Sequence, residues 1–437
     1  MTQLSMNMRK PLTFVFILAF SVGFGQAVMT VNDAIAIALK QNYDILISRT
    51  SADINAANST AGNAGMLPNI SVGASDIFAH NNVATDLSSG TRITSSDAHS
   101  NTFAADVALN WTLFDGGKMF VTRKKLNEIR ELGEIQFKDK MSQTLYGVIL
   151  AYYEVVRQKQ QLASLNEVIR YNKERVNILQ ASFNAGLVPK TDLLQSQVDL
   201  NVYLENAIVQ ETVILDSKRT LNQWLCRDAD SLYEVVDSID LSYIPDKNEL
   251  NKILYTQNTQ VLGSQKQVDV NNLAIRELSA QRYPWLSLST GYYALFNDNS
   301  ASTVLKSRSY GPQVGGSLSF PIFYGGNINR QVKVARLQEQ GARYNLESTK
   351  TAVNTQLQNS LSDYHHAMQL LDLERSNTLL ARENLTISMH RLRLGQTTAL
   401  EVRQAEESYI QSLTRFIQFA YTAKVAETKL KQLVATL

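Results

Sequence analysis

Between Phe103 and Leu113 apolar side chains fall on every second residue, at Phe103, Ala105, Val107, Leu109, Trp111 and Leu113, with Asp106, Asn110 and Thr112 among the positions between. Period two predicts a strand with one apolar face over about 103–114. A second strand of this kind is expected at about 312–323, where Val314, Gly316, Leu318, Phe320 and Ile322 alternate with Gln313, Gly315, Ser317 and Ser319. Two fainter alternations follow prolines. Ile70, Val72 and Ala74 come after Pro68, and Leu286, Leu288, Thr290 and Tyr292 after Pro284, which places strands at about 69–79 and 285–296. The segments between, roughly 80–101 and 297–309, are rich in Ser, Asn, Asp and Thr and read as solvated loops.

Helical spacing takes over after each strand pair. From Lys118 to Asn184 there is no proline, and Leu162, Leu165, Ile169, Val176, Leu179 and Phe183 keep a 3,4 heptad that only Asn172 interrupts. At 1.5 Å rise per residue a helix over 118–184 is about 100 Å long, roughly three times the hydrocarbon thickness of a bilayer. It also carries Arg123, Lys124, Glu128 and Arg130, so it stands in water and not in lipid. The segment 327–393 behaves the same way, and shorter helices are expected at about 191–226 and 398–436. Gly147 and Gly341 inside the long helices mark either close helix approach or a bend.

The resemblance between the two halves is a duplication. Phe114-Asp115-Gly116-Gly117 reappears as Phe323-Tyr324-Gly325-Gly326, and Gly395 answers Gly186; both glycine landmarks recur after 209 residues, whereas Pro68 and Pro284 are 216 apart. Each copy reads helix, strand, strand, long helix, helix. The copies occupy 28–226 and 247–437, with a linker at 227–246.

Charge changes the picture only by exclusion. Lys and Arg total 42 against 40 for Asp and Glu, which gives no reason to expect nucleic acid as a partner. Arg9 and Lys10, an apolar run from Pro11 to Val22 and the small residues Gly23, Gly25 and Ala27 form a secretory signal over 1–27, cut near 25 or 27. The run is too short to span a bilayer. Cys226 is the sole cysteine, which rules out an internal disulfide and an N-terminal lipid anchor.

Four strands cannot close a membrane barrel, whose smallest single-chain forms have about 8, and an open edge in lipid leaves backbone groups unpaired. An α+β membrane fold built from such strands therefore requires oligomerisation. Trp111, Phe114, Trp285, Phe323 and Tyr324 would then gather at one membrane interface as an aromatic girdle; in a soluble sandwich the same side chains would fill the core.

With its duplicated glycine pairs, strand-flanked long helices and two glycine turns each followed by an acid, the chain resembles the TolC-like outer-membrane efflux family from about Val31 to Ala435. Phe183-Asn184-Ala185-Gly186-Leu187-Val188, with Thr191 and Asp192, is similar to the family's first periplasmic turn. The resemblance implies a homotrimer in which each protomer gives four strands to a shared twelve-stranded barrel in the outer membrane. The helices would form a coiled-coil tunnel through the periplasm, and 227–246 would be the equatorial element. It implies a passive export conduit for efflux or type I secretion, with a periplasmic adaptor protein and an inner-membrane transporter as partners, outer-membrane lipid around the barrel, and no cofactor.

Asp192 and Glu401 each lie six residues beyond a turn glycine. By resemblance they line the periplasmic aperture with Thr191, where symmetry-repeated carboxylates favour cations. Both also suit helix starts: Thr398-Ala399-Leu400-Glu401 is a capping box and Asp192 sits in a first turn. The family's partner positions here hold Gln404, Thr397 and Leu392, leaving Arg391 and Arg393 as candidates for an inter-protomer latch to Asp192. The turns at Gly186, Leu187 and Gly395 are expected to dock the adaptor. Gly116, Gly117, Gly325 and Gly326 are strand-to-helix turns, and none belongs to a phosphate-binding loop. His80 and His99 fall in a polar loop, His365 and His366 diverge on a helix, and His390 lacks a spaced partner, so neither a metal site nor an enzyme is expected. The rival reading is a secreted or periplasmic coiled-coil scaffold or adhesin, which would not need four strands.

Overall fold

The structure is a computed structural model that describes residues 28–302 and 304–437; the expected secretory signal and cleavage point lie outside the described residues. Its first half runs β1 (Val28–Met29), α1 (Val31–Gln41), α2 (Tyr43–Asn58), β2 (Asn69–Asp86), β3 (Arg92–Asp115), α3 (Lys118–Asn184) and α4 (Lys190–Trp224). The connecting segment holds β4 (Glu234–Val235), which pairs in parallel with β1. The second half follows with α5 (Lys247–Gln257), α6 (Thr259–Ala280), β5 (Trp285–Asn299), β6 (Lys306–Ser319), α7 (Asn327–Arg393) and α8 (Ala399–Leu433).

Both halves bend at the same device. Asn42 ends α1 and caps α2, its Oδ1 accepting from the Asp44 and Ile45 amides while its Nδ2 donates to the Trp224 carbonyl at 2.8 Å. Asn258 does the same between α5 and α6, accepting from Gln260 and Val261 and donating to the Leu433 carbonyl at 2.9 Å. A buried asparagine thus satisfies two orphan amides of one helix and one carbonyl of another. Asn42 and Asn258 are 216 residues apart, and Trp224 and Leu433 are 209 apart, the two offsets of the duplication.

β2, β3, β5 and β6 form one antiparallel sheet in that order, so the two halves meet along β3 and β5. Register places Ile70, Val72, Val107, Leu109, Leu288, Tyr292, Val314 and Leu318 on one face. Ser71, Gly73, Ser75, Asp106, Ser289, Gly291, Gln313 and Ser317 share the other. The apolar face is open: Val72 is 78% exposed and Val314 76%. β2 and β6 have no second neighbour among the described residues.

The strands depart from the expected bounds. β2 and β3 continue through the supposed loop at 80–101, leaving only a turn at 87–91, and β5 and β6 likewise shorten the loop at 297–309. Polar residues such as Asn81, Thr85 and Ser95 extend in water on the strength of the backbone ladder, which an apolar alternation cannot reveal. β6 in turn stops at Ser319, short of 323, because its partner β5 begins at Trp285, the residue Ser319 pairs with. The long-helix seam is buried at Leu165, Ile169, Asn172 and Leu179, as the heptad predicts, but its line is wider than the heptad. Val176 is only half-buried, while Val168 and Arg175 join the buried line. Gly147 lies against the Trp224 ring, which leaves no room for a Cβ, whereas Gly341 faces open space.

No described helix is long and apolar enough to cross a membrane. Their cores are internal: Val148, Tyr152, Val155 and Leu221 pack with α1 and the β1–β4 ladder. Leu254, Val353, Leu357 and Leu430 form the matching cluster in the second half.

Candidate functional site

Both helical hairpins turn through the same cap. At the end of α3 Gly186 has φ 72°, its amide donates to Phe183 and that of Leu187 to Ser182. At the end of α7 Gly395 has φ 68°, its amide donates to Leu392 and that of Gln396 to Arg391. This paired pattern is the Schellman motif, which needs a left-handed residue at the glycine. Leu187 is 78% exposed and Leu394 70%, so each turn carries an apolar side chain into solvent. Behind the turns α3, α4, α7 and α8 share a core of Leu179, Leu193, Leu392 and Val402.

The two acids after these turns differ in their surroundings. Asp192 is half-buried in the first turn of α4 and lines a cleft of about 160 Å³ with Arg175, Asp199, Thr398 and Arg403. Thr191 reaches it only at 3.5 Å. Glu401 is exposed, bonded to the Thr397 hydroxyl and 3.8 Å from Arg391. The capping box is half-formed: Thr398 accepts from the Glu401 amide, but the Glu401 carboxylate points to Thr397 and not to the cap amide. Arg391 also donates to the Gln396 carbonyl at 3.0 Å, and Arg393 pairs with Glu174 on α3.

Next to Asp192 lies a charged network that the sequence reading missed. Arg175, 1% exposed, places Nη2 2.9 Å from Asp199 and 2.7 Å from Asn172, and Nη1 3.1 Å from Glu406. Arg175 Nε and both Glu406 oxygens make no further hydrogen bond among the described residues. Burial pushes the Glu406 carboxyl up to about 7; Arg175 opposes this and Asp199 adds to it. The signal was Arg175 itself, spaced 3 from Asn172 and 4 from Leu179 on the buried line.

At the other end of α3 and α7, Gly116, Gly117, Gly325 and Gly326 all have positive φ, and Gly117 and Gly326 begin the long helices. A Cβ on Gly116 would stand 2.4 Å from the Ala280 carbonyl oxygen. The aromatics Trp111, Phe114, Trp285, Phe323 and Tyr324 sit beside these turns, all more than one third exposed. Of these, Trp111 and Phe114 are on the apolar face, whereas register sets Trp285 against Asp115 and Ser319 on the polar face and Phe323 and Tyr324 lie past the end of β6, so the five do not form one girdle. A second aromatic set, Phe78, Phe103, Phe296 and Tyr310, lies further along the apolar face, with Phe103 and Phe296 stacked at 6.0 Å. Trp111 and Phe103 are eight residues apart, about 26 Å along a strand, which matches an outer-membrane apolar band of about 25 Å.

The family described as outer membrane efflux protein matches residues 34–225 and 252–436. The chain belongs to this family. It is 21% identical over 351 residues to the outer membrane protein TolC of Salmonella enteritidis, covering 78% of this chain and 70% of that protein. It is 20% identical over 415 residues to the outer membrane efflux protein BepC of Brucella suis, covering 94% and 86%. In structure it is similar to the Campylobacter jejuni CmeC outer membrane channel, with a TM-score of 0.77, 16% identity and coverage of 93% and 85%. The Vibrio cholerae outer membrane protein VceC gives 0.74, 15% identity and coverage of 92% and 95%. The protein is therefore an outer-membrane channel component for efflux or secretion and not an enzyme, and the scaffold reading falls away.

Proposed function

We propose that the chain forms a homotrimeric passive conduit whose periplasmic mouth is lined by Asp192, Glu401 and Thr191 of each protomer. The observation that carries this reading is the pair of equivalent Schellman turns, which set one acid six residues beyond each glycine at the end of a helix roughly 100 Å from the sheet. Three copies bring six carboxylates to one opening, and such a ring concentrates cations and repels anions. The exposed Leu187 and Leu394 beside Gly186 and Gly395 suit an adaptor's apolar helical tips. Of the two latch candidates, Arg391 is the better placed to reach Asp192 of a neighbour, since Arg393 already ties α7 to α3 through Glu174. Outer-membrane lipid meets the Val72–Val314 face, and Gly116, Gly117, Gly325 and Gly326 hinge the sheet onto the helices. Residues 1–27 direct export, and 227–246 belts the helices between the two repeats.

Planar-bilayer recording of the purified trimer tests the mouth. The double variant Asp192→Asn, Glu401→Gln keeps helix-start hydrogen bonding and removes only charge. Cation preference and block by polyvalent cations are expected to fall while trimer melting stays put. Unchanged reversal potentials in a salt gradient, together with unchanged block, would leave both residues as helix starts only.

A further inference from the structure

Sequence spacing hides one cluster that the folded hairpin assembles. His80 on β2 and His99 on β3 are direct cross-strand partners, with ring centroids 4.3 Å apart. Asp97, two residues from His99, has Oδ1 3.0 Å from His80 Nδ1 and 3.8 Å from His99 Nδ1. The cause is a β-bulge. Between the pairs Asn81–Ala98 and Val83–Ser95, β3 supplies Ser96 and Asp97 against Asn82 alone, which frees Asp97 from the ladder and turns its carboxylate toward the two imidazoles. His80 and His99 lie on paired strands and not in the expected polar loop, and register and a bulge, not distance along the chain, bring the three together.

We propose that His80, Asp97 and His99 form a binding site for a late first-row divalent cation such as Zn2+ or Cu2+. One donor atom from each residue lies within 4.8 Å of the other two, and all three side chains are exposed. Ligand bonds of about 2.0–2.2 Å to tetrahedral zinc put donors roughly 3.4 Å apart, so closing the set takes only small side-chain rotations. Two imidazoles and one carboxylate on one face leave the remaining coordination positions to solvent. The site lies on the same face as Val72 and Val107, beyond the Phe78, Phe103 and Phe296 aromatics and away from the helices, so an ion there clips β2 to β3 where the bulge interrupts their pairing. It is separate from the periplasmic mouth and independent of that assignment.

The test uses the untagged full-length trimer in detergent, stripped with chelator and titrated with Zn2+ by calorimetry. Three ions per trimer are expected, with at least a tenfold loss of affinity in His80→Gln and in His99→Gln. Cu2+ electron paramagnetic resonance gives an independent reading: nitrogen hyperfine structure from two imidazoles in the native protein, and from one in either variant. The variant His365→Gln, His366→Gln controls for the adjacent helical histidines and is expected to bind like the native trimer. No saturable binding, or stoichiometry and spectra that persist in His80→Gln, His99→Gln together, would overturn the site and leave Asp97 as a hydrogen-bond acceptor for His80.

Discussion

Replacing Arg175 by Met removes the guanidinium that Asp199 and Glu406 both face while keeping an unbranched stem in the seam. Burial holds the Glu406 carboxyl near 7 against an ordinary 4.5, so at about 1.36 kcal/mol per unit its ionisation in the fold is disfavoured by roughly 3 kcal/mol. Its folded value lies above its unfolded value. The stability it contributes is therefore complete below about 4.5, lost as pH rises toward 7, and level above that. Without Arg175 the carboxyl rises further, so the decline continues past neutral pH. Breaking a buried pair costs about 3–5 kcal/mol, and protonation of Glu406 holds the loss at pH 7 near the lower figure.

The assay is hydrogen exchange of the detergent-solubilised trimer, read at the amides of 171–179 and 402–409 and corrected for the intrinsic rate. A loss of about 3 kcal/mol in local opening speeds exchange roughly 100-fold at pH 7, and the gap from the native protein should widen between pH 7 and 9. Arg175→Met, Glu406→Leu together is expected to restore most of the protection, because a hydrophobic replacement leaves no charge to desolvate. Exchange within threefold of native in Arg175→Met, with parallel pH slopes, would refute the claim that this network pins the helical tip.

Two further outcomes follow from the fold. Asn42→Ala or Asn258→Ala removes a cap and an inter-helix hydrogen bond together, and each should destabilise its half by about 1–2 kcal/mol, seen as a lower melting temperature with the equivalent half unaffected in hydrogen exchange. Val72→Lys should impair membrane insertion by about 2–4 kcal/mol in a refolding titration into lipid vesicles, whereas Ser75→Lys on the opposite face should insert normally and alter conductance.

The parts of this molecule that were legible in the sequence are those whose pattern repeats over many residues. The 67-residue helices announced themselves through heptads, and the glycine landmarks at constant offset marked turns whose hydrogen bonds are indeed the same in both copies. Strand cores were legible where one side is apolar, but the water-facing extensions of β2 and β3 were not, because nothing in their composition distinguishes a ladder from a loop. Arg175 draws no notice in the sequence for a related reason. A lone cation on a long helix reads as solvated until Asp199 and Glu406, on two other helices, are known to converge on it. The cluster of His80, Asp97 and His99 depends on a bulge, which has no sequence period at all.

The unpartnered outer strands of the sheet carry a kinetic consequence. In the proposed trimer the outer strands pair head to tail, β6 of one protomer with β2 of the next, and only a complete ring leaves no strand open. Every unpaired amide or carbonyl carried into hydrocarbon costs several kcal/mol, and each lone sheet has two rows of them. Monomers and dimers are thereby barred from the bilayer, and the rate of insertion should climb more steeply than linearly with protomer concentration. A cell that exports this chain slowly would accumulate it outside the membrane before any channel appears.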